Sequence, residues 1–269
     1  MTRFERDSAV TRAGDGVYDA RIDRGWWIVV GANGGYLAAI VLRALCDAVG
    51  DAERAPRSLT IHYLSPAAEG PARVLVRVER SGRSATSLSA RLEQDGRVVV
   101  LALANFARSR ESLEFQDLHM PEVAPPETLA GYASLHGRTV PMRERMDTRP
   151  AFGAPGSSAH ARTIAGGYMR LAEPFVPDPP ALAMFCDAWP PTIAQRAEFG
   201  PGGTVRGVPT IDLTVDFRAP IPASARPDDF YLCVFRTHTA RDGFLEEDGE
   251  IWTRGGLLLA QSRQLAMLI

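Results

Sequence analysis

The fold of this chain follows from one apolar stretch, Gly34-Gly35-Tyr36-Leu37-Ala38-Ala39-Ile40-Val41-Leu42-Arg43-Ala44-Leu45-Cys46. Apolar side chains occupy nearly every face of a helix drawn through this stretch, and Gly50 is placed to end that helix. A helix that is apolar on all sides must be buried on all sides. We therefore expect the rest of the chain to wrap around it.

Strand-like segments follow this helix. Short apolar runs and period-two alternation predict strands at 58–64, 73–78, 86–92 and 98–106. The last two are joined by Gln94-Asp95-Gly96-Arg97, and Asp-Gly favours a tight hairpin turn because both residues tolerate positive φ angles. The first half therefore reads as an antiparallel sheet with one long helix.

The same order of elements starts again in the second half. A strand near 168–171 and a second apolar helix, Ala181-Leu182-Ala183-Met184-Phe185-Cys186-Asp187-Ala188-Trp189, precede strands predicted at 210–217, 230–237, 249–252 and 257–267. The halves also match residue by residue. Leu59-Thr60-Ile61-His62-Tyr63-Leu64-Ser65-Pro66 aligns with Leu213-Thr214-Val215-Asp216-Phe217-Arg218-Ala219-Pro220. An internal duplication is the simplest explanation of that match.

One apolar helix wrapped by a curved antiparallel sheet, occurring twice, is the pattern of an α+β double hotdog, that is, two tandem hotdog domains. We expect an N-terminal domain at 1–110 and a C-terminal domain at 146–269. The segment 111–145 between them is rich in proline and charged residues without a sustained period, which indicates a linker. A sandwich of two unrelated domains would not predict the matched strand.

Composition excludes several classes of function. The 30 Lys and Arg residues nearly balance the 32 Asp and Glu residues, so no overall field would attract nucleic acid or an anionic membrane. The three cysteines are sparse and lie in apolar runs, which indicates a reducing compartment. The N-terminus has no apolar signal core, and no apolar run reaches the roughly 18 residues of a membrane span. These features predict a cytoplasmic protein.

Five stretches of the sequence resemble the TesB-like (type II) acyl-CoA thioesterases, most closely their bacterial thioesterase-like branch. The similarity covers most of the chain except the linker. The stretches are Gly31-Ala32-Asn33-Gly34-Gly35-Tyr36-Leu37, Ser58-Leu59-Thr60-Ile61-His62-Tyr63-Leu64, Phe185-Cys186-Asp187-Ala188-Trp189-Pro190-Pro191, Pro209-Thr210-Ile211-Asp212 and Leu259-Ala260-Gln261-Ser262-Arg263-Gln264.

The resemblance implies an enzyme of lipid metabolism that hydrolyses acyl-CoA to a free acid and CoA without a covalent intermediate or a cofactor. It also implies a homodimer or a higher homo-oligomer. In the family an Asp, a Thr and a Gln hold the attacking water. Carried over by motif, these residues are Asp187, Thr210 and Gln264, all in the C-terminal domain.

The residues themselves are compatible with these roles. Asp187 is the only charge in an apolar run, and a buried unpaired carboxylate is costly, so it either reaches solvent or serves a site. Thr210 at a strand start says little alone, although a hydroxyl can both accept and donate a hydrogen bond to water. Gln264 alternates with Leu258, Ala260, Ser262 and Ala266, and the opposite face is more polar, which favours an inward Gln264.

In the expected mechanism Asp187 takes a proton from water while Thr210 and Gln264 orient it. Free N–H groups at the start of the first helix, around Gly34, Gly35 and Tyr36, are candidate oxyanion or acyl-group contacts; a packing role for the glycines is an equal alternative. Cys46-Asp47-Ala48 copies Cys186-Asp187-Ala188, but Asp47 lies near its helix end. We therefore expect Asp47 at the surface and one working site per chain.

Other schemes find less support. A Gly-x-Ser-x-Gly nucleophile elbow is missing, and the five histidines have no paired ligand spacing, so neither a serine hydrolase nor a metal site is expected. Two alternatives remain open. One is a hotdog acyl-CoA-binding protein without turnover, and the other is an enoyl-CoA hydratase or dehydratase, although neither predicted helix contains the histidine that such enzymes use.

Overall fold

The computed structural model describes residues 1–29, 31–132, 140–153, 163–197 and 202–269. Within these residues the chain forms three α-helices and a single sheet of thirteen strands. The helices are α1 (Arg3–Asp7), α2 (Gly34–Val49) and α3 (Pro179–Phe185). The strands are β1 (Val10–Gly14), β2 (Val17–Ile22), β3 (Arg54–Tyr63), β4 (Gly70–Ser81), β5 (Ala85–Gln94), β6 (Arg97–Arg108), β7 (Met146–Phe152), β8 (Thr163–Leu171), β9 (Thr210–Phe217), β10 (Tyr231–Thr237), β11 (Ala240–Arg241), β12 (Phe244–Thr253) and β13 (Leu258–Met267).

The strand order of the sheet is a palindrome. Along the sheet the strands run β1-β2-β4-β5-β6-β3-β9-β13-β12-β10-β8-β7, and the two-residue β11 pairs with β12 beside this path. With β11 set aside, the second half of the chain repeats the order of the first half from the opposite edge. Two copies of one unit related by a twofold axis give this order, and the predicted α+β double hotdog is confirmed.

The central strand pair shows where that axis passes. Strands β3 and β9 are antiparallel, with Thr60 opposite Thr214 and their hydroxyl oxygens 3.1 Å apart. The sequence match gives Thr60 and Thr214 the same place in the two copies. Each therefore faces its own counterpart, as a residue on a twofold axis must. The duplication that the sequence indicates and the register of the sheet agree.

The first helix predicted from the sequence is present as α2. The side chain of Asn33 caps α2 by accepting a hydrogen bond from the Tyr36 N–H at 2.9 Å, and Gly50 ends the helix with a φ of 62°. Most of its residues before Cys46 are buried, including Tyr36, Leu37, Ala38, Ala39, Ile40, Val41, Leu42, Ala44 and Leu45. The sheet therefore encloses α2, which explains why this stretch is apolar on every face.

The second predicted helix is present as α3, but it is shorter than predicted. It begins after its cap Asp178 and ends at Phe185, so Asp187 lies in the turn that follows the helix and not within it. Two features limit how far this helix can extend. Pro190 and Pro191 cannot donate backbone hydrogen bonds, and the residue before a proline avoids helical angles. The start of α2 also packs against this turn, where a side chain on Gly35 would come within 2.6 Å of the Met184 carbonyl oxygen.

Several other elements complete the comparison with the sequence. The β5–β6 hairpin turns through Asp95 and Gly96 with φ angles of 50° and 74°, as the Asp-Gly pair predicts. The elements α1, β1, β2 and β7 are not among those that the sequence indicates, because they are short and partly polar. Among the described residues no helix is both long and apolar enough to cross a membrane.

Candidate active site

Asp187 connects the two domains. Its Oδ2 accepts hydrogen bonds from the Gly35 N–H and from Asn33 Nδ2, each at 2.9 Å. Asn33 Nδ2 also donates to the Asp187 backbone oxygen at 2.7 Å. A carboxylate of the C-terminal domain therefore sits at the N-terminus of α2, where the helix dipole and the free N–H groups favour negative charge.

Gly34 and Gly35 allow this close approach. A side-chain carbon on Gly34 would lie 2.9 Å from Asp187 Oδ2, and one on Gly35 would lie 2.9 Å from Met184 Cα. Contacts this short would displace either the carboxylate or the backbone of the turn. Both glycines are thus needed for the fit between α2 and the Asp187 turn.

The N–H groups at the start of α2 are not free as expected, because the carboxylate and the helix cap occupy them. The Gly35 N–H binds Asp187 Oδ2, and the Tyr36 N–H binds Asn33 Oδ1. The Tyr36 side chain lies in the core, where its ring stacks on Trp26 at 5.3 Å and its hydroxyl donates to the Asp7 carbonyl oxygen at 2.5 Å. The sequence does not reveal these partners, because Asp187 lies 152 residues from Gly35.

The other oxygen of Asp187 faces the remaining two predicted residues. Thr210 Oγ1 lies 3.5 Å from Asp187 Oδ1 and donates a hydrogen bond to Gln264 Oε1 at 2.9 Å. Thr210 begins β9, and Gln264 lies on the neighbouring β13 with its side chain turned inward, as the alternation predicts. A hydroxyl carries one proton, and Thr210 donates it to the hydrogen bond with Gln264. The lone pairs of the Thr210 oxygen can then accept a hydrogen bond from a water molecule.

Glu247 is a buried residue of the site that the sequence does not indicate. It lies opposite Gln264 on β12, and its Oε1 accepts from Gln264 Nε2 at 2.8 Å. Its Oε2 accepts from the Thr192 N–H at 2.8 Å. With the amide nitrogen bound to Glu247, the amide oxygen of Gln264 must point at Thr210. The sequence pattern could have indicated Glu247, because it alternates with Gly249 and Ile251 on the inward face of the strand. The predicted strand, however, began only at 249.

The environment tunes the Asp187 carboxyl group toward neutral pH. Burial raises its pKa from 3.8 to about 6, the hydrogen bond from the Gly35 N–H opposes that rise, and the nearby Glu247 charge adds to it. Burial also raises the pKa of Glu247. A carboxylate with a pKa near 6 is still ionised at pH 7 yet accepts a proton more readily than an ordinary aspartate.

The duplicate carboxylate lies elsewhere. Asp47 is about half exposed, with its side chain bound to Arg12 at 3.1 Å and to the Tyr18 hydroxyl at 2.9 Å, as expected for a surface residue. In the described part of the chain, no group of three His, Cys, Asp or Glu side chains is arranged as metal ligands would be.

Comparison with known proteins identifies the family. Residues 23–107 match the acyl-CoA thioesterase N-terminal domain and residues 119–268 match the acyl-CoA thioesterase C-terminal domain. No functionally curated protein matches the sequence.

Solved structures of similar fold span the whole chain. A hot dog fold protein of unknown function from Alicyclobacillus acidocaldarius is 26% identical, with a TM-score of 0.87 over 100% of this chain and 98% of that one. A candidate thioesterase II from Thermobifida fusca is also 26% identical, with a TM-score of 0.86 over 100% and 98% of the two chains. Acyl-CoA thioesterase II TesB2 from Mycobacterium marinum shares the fold at 22% identity, with a TM-score of 0.76 and coverage of 99% and 98%. Because the two family models together cover most of its length, this chain belongs to the acyl-CoA thioesterase family and is a thioester hydrolase.

Proposed function

We propose that this enzyme hydrolyses acyl-CoA by direct attack of a water molecule that Asp187 activates and that Thr210 and Gln264 hold. One observation carries the proposal. Asp187 Oδ2 is fixed by donors from the N-terminal domain, whereas Oδ1 faces the Thr210 hydroxyl 3.5 Å away and is left to accept a proton. A partly buried base beside a hydroxyl with free lone pairs is suited to orient and deprotonate water.

The reaction needs no nucleophilic side chain, because water attacks the thioester directly. The water oxygen forms a bond to the thioester carbonyl carbon, its proton passes to Asp187 Oδ1, and the carbonyl π electrons move onto oxygen. When the carbonyl re-forms, the carbon–sulfur bond breaks, and the thiolate of CoA leaves and takes the proton from Asp187. Asp187 ends the cycle ionised, which its pKa of about 6 allows at neutral pH. A cofactor has no part in these steps.

The wider biological setting forms part of the same proposal. The three cysteines are free thiols, in keeping with the reducing environment of the cytoplasm. We further propose acyl-CoA as the substrate, a homodimer or higher homo-oligomer as the assembly, and the division into domains at 1–110 and 146–269 with the linker 111–145.

The test is thiol release from a panel of acyl-CoAs, from short to long chains and including aryl groups. We expect Asp187→Asn to lower kcat/KM by a factor on the order of 10² or more. Asp47→Asn is the matched control, because it changes the same residue type in the copied Cys-Asp-Ala stretch at the surface, and it should retain wild-type activity. Equal rates for Asp187→Asn and wild type would refute the assignment.

Two further measurements, made beside the thiol-release assay, separate the two alternatives. A binding protein without turnover would show acyl-CoA binding by calorimetry and no thiol release. A hydratase would change the absorbance of an enoyl-CoA while leaving the thioester intact. Either result would overturn the hydrolytic proposal.

A further inference from the structure

Thioester hydrolysis places negative charge on the carbonyl oxygen, and that oxygen needs a hydrogen-bond donor. The amides at the start of α2 are engaged, since the Gly34 and Gly35 N–H groups bind Asp187 and the Tyr36 N–H binds Asn33. A different donor in the site is therefore required.

Within the described part of the chain, the hydroxyl of Tyr63 is a buried donor without a hydrogen-bond partner. Tyr63 ends β3 of the N-terminal domain, beside the N-terminus of α2. A side-chain carbon on Gly34 would lie 3.0 Å from Tyr63 Oη and 2.9 Å from Asp187 Oδ2. The phenol and the carboxylate are thus both next to Gly34, and a side chain at that position would collide with both.

An unpaired buried hydroxyl is costly. Leaving such a group without a partner costs about 1–3 kcal/mol, and phenylalanine would fill the same space without that cost. The hydroxyl also remains protonated, because burial and the adjacent Asp187 charge raise the pKa of Tyr63 well above its ordinary value. It is therefore a permanent donor that lacks an acceptor among the residues that the structure describes.

We propose that Tyr63 Oη donates a hydrogen bond to the carbonyl oxygen of the bound thioester and to the oxyanion that forms from it. This inference rests on the proposed function and adds a residue of the N-terminal domain to the reacting centre. Tyr63 keeps its proton throughout. It stabilises the charge while the new carbon–oxygen bond forms, and it releases that charge when the carbonyl re-forms and the carbon–sulfur bond breaks.

Tyr63→Phe tests the inference, because it removes only the hydroxyl. We expect kcat to fall by a factor on the order of 10², as for removal of one oxyanion donor, with little change in KM. The melting temperature should stay equal or rise, because the variant no longer buries an unpaired polar group. A residue with a purely structural role would instead lose stability together with activity.

Tyr231→Phe is the matched control. Tyr231 also buries a hydroxyl that has no partner among the described residues, but it lies on β10 with its ring 6.2 Å from that of Phe185. We expect this variant to gain or keep stability in the same way and to retain wild-type kcat. Full activity in Tyr63→Phe, or a loss of stability that parallels its loss of activity, would overturn the inference.

A binding measurement separates failure of this inference from failure of the proposed function. The probes are an acyl-CoA ketone in which methylene replaces sulfur, and an S-alkyl-CoA thioether that has no carbonyl. We expect Tyr63→Phe to weaken ketone binding and to leave thioether binding unchanged. If wild type binds the ketone but releases no thiol from any substrate, the hydrolytic proposal fails. If both proteins bind the ketone equally, the role of Tyr63 fails.

Discussion

The two hotdog domains carry different residues at equivalent places in the same architecture. Leu103 pairs with Thr60 and Arg263 pairs with Thr214, so the next residues along β6 and β13, Ala104 and Gln264, are counterparts. Across the sheet, Leu88 pairs with Ala104 where Glu247 pairs with Gln264.

The counterparts of the other two site residues, Thr210 and Asp187, are also apolar. Thr210 corresponds to Pro56 in the offset that aligns Thr214 with Thr60. Counted from the helix caps Asn33 and Asp178, Asp187 corresponds to Leu42, which is fully buried in α2, so the similar stretch around Asp47 is not at the equivalent place. The N-terminal domain is therefore apolar at the places where the C-terminal domain has its network.

The network is therefore present as a whole in one copy and absent as a whole from the equivalent places of the other. A buried carboxylate or amide is tolerated only with its partners, so a copy that lost one member would be more stable after losing the rest. The N-terminal domain instead provides the other wall of the site. It supplies the N-terminus of α2 that holds Asp187, and the Tyr63 hydroxyl beside it.

The largest effect is expected when the C-terminal copy is made to resemble the N-terminal one. Gln264→Ala installs the residue found at Ala104 and removes the acceptor of the Thr210 proton. Thr210 is then free to donate to Asp187, and the water loses its orientation, so we expect kcat to fall by a factor on the order of 10². Thiol-release kinetics measure the effect.

The control for this variant is Gln261→Ala. Gln261 lies on the same strand, and its side chain binds Arg218 at the surface. We expect wild-type kcat for it. If the two variants behave alike, the contrast between the inward and outward faces of β13 does not govern catalysis.

The reverse substitution, Ala104→Gln, should act on stability alone. The new amide would be buried opposite Leu88, which offers no acceptor in place of Glu247. We expect the free energy of unfolding to fall by about 1–3 kcal/mol in urea denaturation, with unchanged kcat for the folded protein. An increase in stability would mean that the apolar copy can accept a polar network after all.

The smallest effect is expected for Glu247→Gln, which keeps a hydrogen-bonding group but removes its charge. Activity requires ionised Asp187, so kcat/KM of the wild type should decline as the pH falls through about 6. The negative charge of Glu247 raises the pKa of Asp187, so its removal should lower that pKa and move this decline to lower pH.

A pH profile of kcat/KM measures the shift. Glu53→Gln serves as a control because Glu53 is an exposed carboxylate whose partner is Arg108. Its profile should match that of the wild type. A decline at the same pH in Glu247→Gln would show that Glu247 is already neutral there.

The fold was largely predictable because its signals are local. Apolar periodicity places α2, the Asp-Gly turn places one hairpin, and the matched strands reveal the duplication whose axis passes between Thr60 and Thr214. The site was less predictable. The length of α3 depends on proline and on contact with α2, so Asp187 was expected within a helix and lies in the turn after it.

The amino-acid sequence by itself determined the two buried helices, the repeated set of strands and the inward phase of Gln264, because burial imposes a period that can be read along the chain. Only the tertiary structure decided the partners of Asp187. The N-terminus of α2 lies more than 150 residues away in the chain, and its amides are taken up only when the two domains pack together. Tyr63 was missed for the same reason, whereas Glu247 was missed because the predicted strand began only at 249. Whether a buried polar group has a hydrogen-bond partner depends on its neighbours in space, and these neighbours have no fixed spacing along the chain.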